Sequence, residues 1–283
     1  MVERFFEELR VTEVLVCLGF KKKYFGGQDM SENTDVVQIL WTGGWDSTYR
    51  VISLVESGYL VQPHYIMDPA RPSRFLEVET IAKISNILNQ DFGNRVLDLK
   101  VVDLDSIHVP VEVSKSYDQI RSQCFVGSQY KWLAAYTLIN ELDALELAIH
   151  KDDRACDVVS SFIVKNYQGS HVLGTDAPVE IKAIFGRFSY PIIDMTKSDM
   201  KNNLVSSISK EVMALTWFCH TPAFGRYPCG HCNPCIYTAK EGLINRLPWH
   251  AKIRYHIRLY PRLKDILIKY PKLHSFFIKL KRT

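Results

Sequence analysis

Thr42-Gly43-Gly44-Trp45-Asp46-Ser47-Thr48 packs two glycines, one carboxylate and three hydroxyls into seven residues. An apolar run, Val36-Val37-Gln38-Ile39-Leu40-Trp41, precedes it, and a segment with helical periodicity follows. A buried strand that ends in a tight turn and passes at once into a helix collects free backbone N–H groups. It also presents the positive end of the helix dipole at one spot. Glycines there let the backbone approach a ligand closely and take positive φ. The chemistry implied is a phosphate cradle, with Trp41, Thr42, Gly43, Gly44, Trp45, Asp46, Ser47 and Thr48 as its residues. The Gly-Lys-Ser/Thr ending of the common phosphate-binding loop is absent. An ordinary strand-to-helix turn also uses glycines, but it has no need of Asp46, Ser47 and Thr48 together.

A second constellation lies far downstream. Cys219 is followed by Cys229-Gly230-His231-Cys232-Asn233-Pro234-Cys235, so two Cys-x-x-Cys steps share Cys232. Four thiolates at Cys219, Cys229, Cys232 and Cys235 suit a tetrahedral structural zinc. The last step enters a helix expected at 236–244, whose N-terminus favours thiolate. His220 and His231 are alternative ligands. A redox pair needs only two of these cysteines, and an iron–sulfur cluster uses the same four.

The elements around these groups alternate. Strands are expected at 36–41, 62–67, 96–102 and 145–150, and helices at 47–57, 76–88 and 130–141. Such alternation predicts an α/β fold, a doubly wound parallel sheet with helices on both faces. Ligands of such sheets sit beyond the carboxyl ends of the strands. That places Thr42–Thr48, Asp68–Arg74 and His150–Arg154 around one crevice. Arg71 and Arg74 could hold phosphate or carboxylate there, or be surface loop charge. Asp152 and Asp153 could hold magnesium, or one could cap a helix.

The loop is similar to the Ser-Gly-Gly-x-Asp-Ser signature of the PP-loop ATP pyrophosphatases, with Thr42 in place of the first serine. The resemblance implies a HUP-like fold, ATP with Mg2+, and cleavage to AMP and pyrophosphate during adenylation. The knuckle Trp217-Phe218-Cys219…Cys229-Gly230-His231-Cys232-Asn233-Pro234-Cys235 narrows the likeness to the 7-cyano-7-deazaguanine synthases. Pro191-Ile192-Ile193-Asp194-Met195-Thr196-Lys197-Ser198-Asp199-Met200 resembles that family's Pro-Leu…Thr-Lys-Ala-Glu stretch. The likeness covers about residues 36 to 245. It implies Asp46, Ser47 and Lys197 as catalytic residues. It also implies a 7-carboxy-7-deazaguanine substrate, adenylated and then attacked by an amine to give an amide or nitrile. Departures fall in the substrate half. The family's Pro-Asp-Cys-Arg stretch corresponds here to His150-Lys151-Asp152-Asp153-Arg154-Ala155-Cys156-Asp157. Its Ala/Gly-Arg-Asn segment corresponds to Gly127-Ser128-Gln129-Tyr130-Lys131. The altered half leaves room for a defence-type relative that joins the deazaguanine acyl group to an amine on an acceptor protein. A reading of another class is an inactive nucleotide-bound adaptor for protein or nucleic acid, against which the intact Asp46 and Ser47 weigh.

Composition bounds these readings. A 283-residue chain with 47% hydrophobic residues can bury a full core. No apolar run reaches the length of a membrane span, and the first residues have no signal-peptide core. Seven cysteines, four of them in a knuckle, suggest a reducing, cytoplasmic setting. Net charge is +4, but residues 246–283 carry eleven Lys or Arg and one acid, so the tail holds +10 and the rest −6. The expected organisation is an N-terminal extension at 1–34, a PP-loop domain at 35–245 with the knuckle at 219–235, and a basic helical tail at 246–283. In the tail Tyr260-Pro261-Arg262-Leu263 recurs as Tyr270-Pro271-Lys272-Leu273. Apolar residues after each proline fall at helical spacing, predicting two short amphipathic helices. Their apolar stripes should dock on the core, on a second copy in a homo-oligomer or on a partner. Their basic faces suit an acidic protein or nucleic acid.

Overall fold

The computed structural model describes residues 35–166 and 169–259. The N-terminal extension at 1–34 and the repeated tail helices beyond 259 lie outside the described residues. In chain order the elements begin with β1 (Val36–Leu40), α1 (Trp45–Glu56), β2 (Leu60–Met67), α2 (Arg74–Phe92) and β3 (Lys100–Asp103). The chain continues through α3 (Val111–Gln123), α4 (Gln129–Ile139), β4 (Leu145–Glu146), α5 (Arg154–Val159), β5 (Ile163–Lys165) and β6 (His171–Leu173). It ends with α6 (Val179–Phe185), β7 (Phe188–Ser189), α7 (Lys197–Asn203), α8 (Ser207–Leu215), α9 (Asn233–Thr238) and α10 (Trp249–Leu259).

The strands form one sheet in the order β3-β2-β1-β4-β7-β6-β5. The five from β3 to β7 in that order run parallel. Strands β6 and β5 add an antiparallel edge. The fold is therefore α/β with a mostly parallel sheet, as the alternation predicts, with an antiparallel edge that the alternation does not. Two expected strands are also shorter. Val96 makes only an isolated bridge to Val61, its backbone bracketed at 2.7 and 2.8 Å by the Asn89 side-chain amide, and β3 starts at Lys100. After Glu146 the chain keeps one bond to β7, Leu147 N–H to the Ser189 carbonyl, and then turns as Ile149 N–H donates to the Leu147 carbonyl.

Each sheet face carries its own core. On one, α3, α4 and α6 bury Tyr130, Leu133, Ile184 and Phe185. On the other, α1, α2, α7 and α8 bury Trp41, Ile52, Leu54, Ile81 and Met213. A third cluster surrounds the cysteines and includes Leu247, Ala251 and Tyr255. The tail thus begins inside the knuckle's apolar packing. Among the described residues no helix is long and apolar enough to cross a membrane.

Candidate active site and metal centre

Chain order places the topological switch point between β1 and β4, because β1 is followed outward by β2 and β3 while β4 lies on its other side. In open α/β sheets that is where ligands bind. The loop after β1 has Gly43 at φ 68°, a left-handed conformation that suits glycine. A Cβ there would stand 3.2 Å from the Glu77 carbonyl oxygen, so α2 closes against the loop. Gly44 is the N-cap of α1 and supplies no side chain, leaving the first N–H groups of α1 without a capping bond.

The hydroxyls and indoles divide between scaffold and site. Trp41 and Thr48 are wholly buried, and the Trp41 indole N–H donates to Thr48 Oγ1 at 2.9 Å. They tie strand to helix beneath the loop. Asp46 is partly buried, and its Oδ1 is shut away with no hydrogen-bond partner. Its Oδ2 lies 3.9 Å from Nε2 of His150, which follows β4. Burial raises the Asp46 pKa, while Lys197 and His150 pull it down less strongly and Asp153 and Glu241 push it up. Ser47 is buried in the same turn.

Lys197 opens α7. Thr196 caps that helix reciprocally with Asp199, and this fixes where the lysine starts. The loop after β4 is clamped to the same turn, since Lys151 N–H donates to the Met195 carbonyl at 2.9 Å. Lys197 Nζ meets Glu241 Oε1 and Oε2 at 3.0 and 3.1 Å. Asp46, His150, Lys197 and Glu241 therefore converge at the switch point. Asp153 is near enough to act on Asp46, but its side chain also caps α5 by accepting from Ala155 N–H at 3.1 Å. Asp152 is exposed.

Arg71 and Arg74 follow β2 as expected and make local contacts. Arg71 pairs with Glu77 at 3.4 Å. Arg74 donates to the Pro69 and Arg71 carbonyls at 3.0 and 3.3 Å and lies over the Phe75 ring. Among the described residues neither guanidinium bonds to Asp46. Beside the glycine loop an open recess of about 470 Å³ is lined by Leu76, Glu79, Thr80, Lys83, Leu215, Trp217 and Arg226.

The four cysteines assemble, with all four sulfurs within 4.8 Å of one another. A tetrahedral metal with bonds of about 2.3 Å needs sulfurs about 3.8 Å apart. The Cys229–Cys235 and Cys219–Cys232 separations are both 3.9 Å. Backbone N–H groups of Cys229, His231 and Cys232 point at sulfur at 3.2 to 3.4 Å, as thiolates require. Hydrogen bonding, chiefly with Cys219, lowers the pKa of Cys229 and pushes Cys232 down to about 6, while Cys219 and Cys235 are raised. Four sulfurs that must otherwise share protons fit a metal. Neither His220 nor His231 belongs to the group. The helix after the knuckle is shorter than expected, because α9 gives way to a π-turn at Ala239–Leu243 with Gly242 at φ 82°. That kink delivers Glu241 to Lys197.

His150, Glu241 and Arg246 have no motif of their own in the sequence. Their proximity to the loop arises from tertiary packing. Only the strand-end position of His150 hinted at a site.

No protein-family model and no curated protein sequence matches the chain. Among solved structures it is distantly similar to a predicted subunit of tRNA methyltransferase from Methanocaldococcus jannaschii, at 20% identity over 59% of this chain and 72% of that one, with a TM-score of 0.33. It is also similar to the U34-tRNA thiolase NcsA of Methanococcus maripaludis with its 4Fe–4S cluster, at 15% identity over 66% of each chain and a TM-score of 0.35. The fold itself rests on the strand order and switch point above.

Proposed function

We propose that this protein is a PP-loop-type, ATP-dependent enzyme that adenylates a carboxylate and releases AMP and pyrophosphate. The observation that carries the reading is Asp46 Oδ1, buried without a partner at the N-terminus of α1, with Lys197 and His150 beside it. A carboxylate oxygen shut from water with no donor fits a cation. Asp46 would hold the Mg2+ that accompanies ATP, with Asp153 as a further carboxylate acting on it, and the ion would neutralise charge on the polyphosphate. The free N–H groups of Gly43–Ser47 would bind phosphate oxygens. Lys197 would stabilise the departing pyrophosphate once Glu241 yields it.

The knuckle is proposed as a structural zinc site of Cys219, Cys229, Cys232 and Cys235. Zinc there would lock the segment from Trp217 to α10 and take no part in the reaction. One zinc per chain by elemental analysis supports this, and iron with a visible chromophore refutes it.

The acyl substrate is proposed to be a planar heteroaromatic carboxylate of the 7-carboxy-7-deazaguanine class. Support comes from the motif likeness and from the recess beside the loop, whose size suits a heterocycle and which Trp217 gives an aromatic wall. An amine then displaces AMP. The direct test is product analysis: purified protein with ATP, Mg2+ and 7-carboxy-7-deazaguanine should yield AMP and pyrophosphate. ADP and phosphate would refute the PP-loop reading.

A further inference from the structure

Arg246 lies in the short helical turn Ile244–Arg246 that follows the knuckle. Its guanidinium carbon stands 4.8 Å from the centroid of the Phe218 ring and 5.8 Å from that of Trp45, the first residue of α1. One nitrogen, Nη2, donates to the carbonyl and, at 2.9 Å, to the hydroxyl of Thr216, which is itself buried. This anchor fixes the guanidinium and uses a single nitrogen. Among the described residues no carboxylate pairs with it. Burial alone pushes its pKa down, to about 10, so it stays charged at neutral pH. Beside it the Trp45 indole N–H is buried with no acceptor.

A partly desolvated cation held without a counter-ion is costly, and a buried N–H without an acceptor adds to that cost. Trp45 stands where α1 begins, one residue before Asp46, and the Arg246 guanidinium lies over its ring. Their needs are answered by one kind of ligand, an oxyanion. Of the oxyanions in the proposed reaction, the polyphosphate is the one that reaches the N-terminus of α1.

We propose that Arg246, with the Trp45 indole N–H, forms a second phosphate-binding arm, in addition to Lys197, that grips the nucleotide's polyphosphate from the segment after the knuckle. The inference rests on the ATP-dependent reading above. It forms no covalent bond and is a binding and positioning role. It also gives the metal centre a route to the nucleotide, because Thr216 and Phe218 lie just before Cys219 in sequence and shape the guanidinium's seat.

The test is calorimetric titration of the full-length, zinc-replete protein with inorganic pyrophosphate. Arg246→Met should weaken pyrophosphate binding about tenfold to a hundredfold, the loss of one or two charge-assisted hydrogen bonds. It should also flatten the salt dependence of binding, while zinc content holds. Arg246→Lys should fall between wild type and Met, since it keeps the charge and loses the planar fork. The KM for ATP should rise in both variants by more than kcat falls. Pyrophosphate affinity within twofold of wild type in Arg246→Met overturns the proposal. If that variant does not fold, the same result in Arg246→Lys and Thr216→Val together does so. A defect confined to the carboxylate substrate, with pyrophosphate binding intact, overturns it as well. Failure of the wild-type protein to bind pyrophosphate or ATP would instead strike the adenylation reading itself.

Discussion

Trp217 donates its backbone N–H to the carbonyl of Gly43 at 2.8 Å, joining the segment that leads into the cysteine knuckle to the turn of the glycine loop. The indole of the same residue donates to the Cys219 carbonyl at 2.6 Å. One residue thus ties the four-cysteine cluster at one end to the turn of the glycine loop at the other.

Removing the metal should therefore disable the cradle. Chelation of a zinc-loaded sample is expected to lower Tm and to weaken ATP binding by at least about tenfold, because structural zinc adds its binding energy to folding. Titrating ATP into the metal-free protein checks this. Unchanged affinity would mean that the Trp217 link carries nothing between the two centres.

Gly230 should tolerate no side chain. It sits at φ 80° in the knuckle, and a Cβ there would collide with the Ala251 carbonyl oxygen of α10. Gly230→Ala combines left-handed strain with overpacking, for an expected loss of more than about 2 kcal/mol. Chemical denaturation of the zinc-loaded variant measures it. A loss too small to detect would show that α10 can be displaced freely.

Asp46 should be a stability cost that function requires. Its folded pKa is raised above the ordinary 3.8, first by burial. A raised acid favours folding only where it is protonated, and that contribution is lost as pH rises through the folded value. Asp46→Asn should therefore raise Tm at neutral pH, with the gap closing as pH falls toward 3.8, while ATP cleavage drops about a hundredfold or more. A variant less stable than wild type at pH 7 would reverse the electrostatic account.

His64 should supply an acid-labile element of the core. It is 1% exposed and pushed down to about 4, chiefly by burial and then by Lys100. Gln38 Oε1, 2.5 Å from Nε2, can only accept, so Nε2 carries the proton and Nδ1 accepts from the Tyr136 hydroxyl at 2.6 Å. The neutral ring is the bonded one. A depressed histidine contributes stability that is whole above 6.5 and is lost as pH falls toward 4. Denaturation profiles across that window should be flatter for His64→Gln than for wild type by about 3 kcal/mol. Parallel profiles would exclude His64 as the source.

The glycine loop and the knuckle were legible because their residues are close in sequence. Gly43, Gly44 and Asp46 follow one another at a strand end, and three of the four cysteines share one turn. What stayed hidden depends on distant approach or on short elements. Strands β5, β6 and β7 have two or three residues each, too few to show a period, so the antiparallel edge left no pattern. Trp41 and Thr48 read as ligand contacts because a hydroxyl and an aromatic at a loop look the same whether they face out or in. The tertiary packing turned them to each other. Glu241 reaches Lys197 only because Gly242 breaks the helix after the knuckle. Arg246 read as one of many tail charges until its burial between two aromatic rings set it apart.

The central claim is cleavage of ATP between its α and β phosphates at the Asp46 cradle. It is tested most directly by following ATP labelled at the α phosphate, with Mg2+ and 7-carboxy-7-deazaguanine, in wild-type protein and in Asp46→Asn. The account predicts labelled AMP with equimolar pyrophosphate from wild type and essentially none from the variant. Labelled ADP, or AMP formed equally by both proteins, would contradict it.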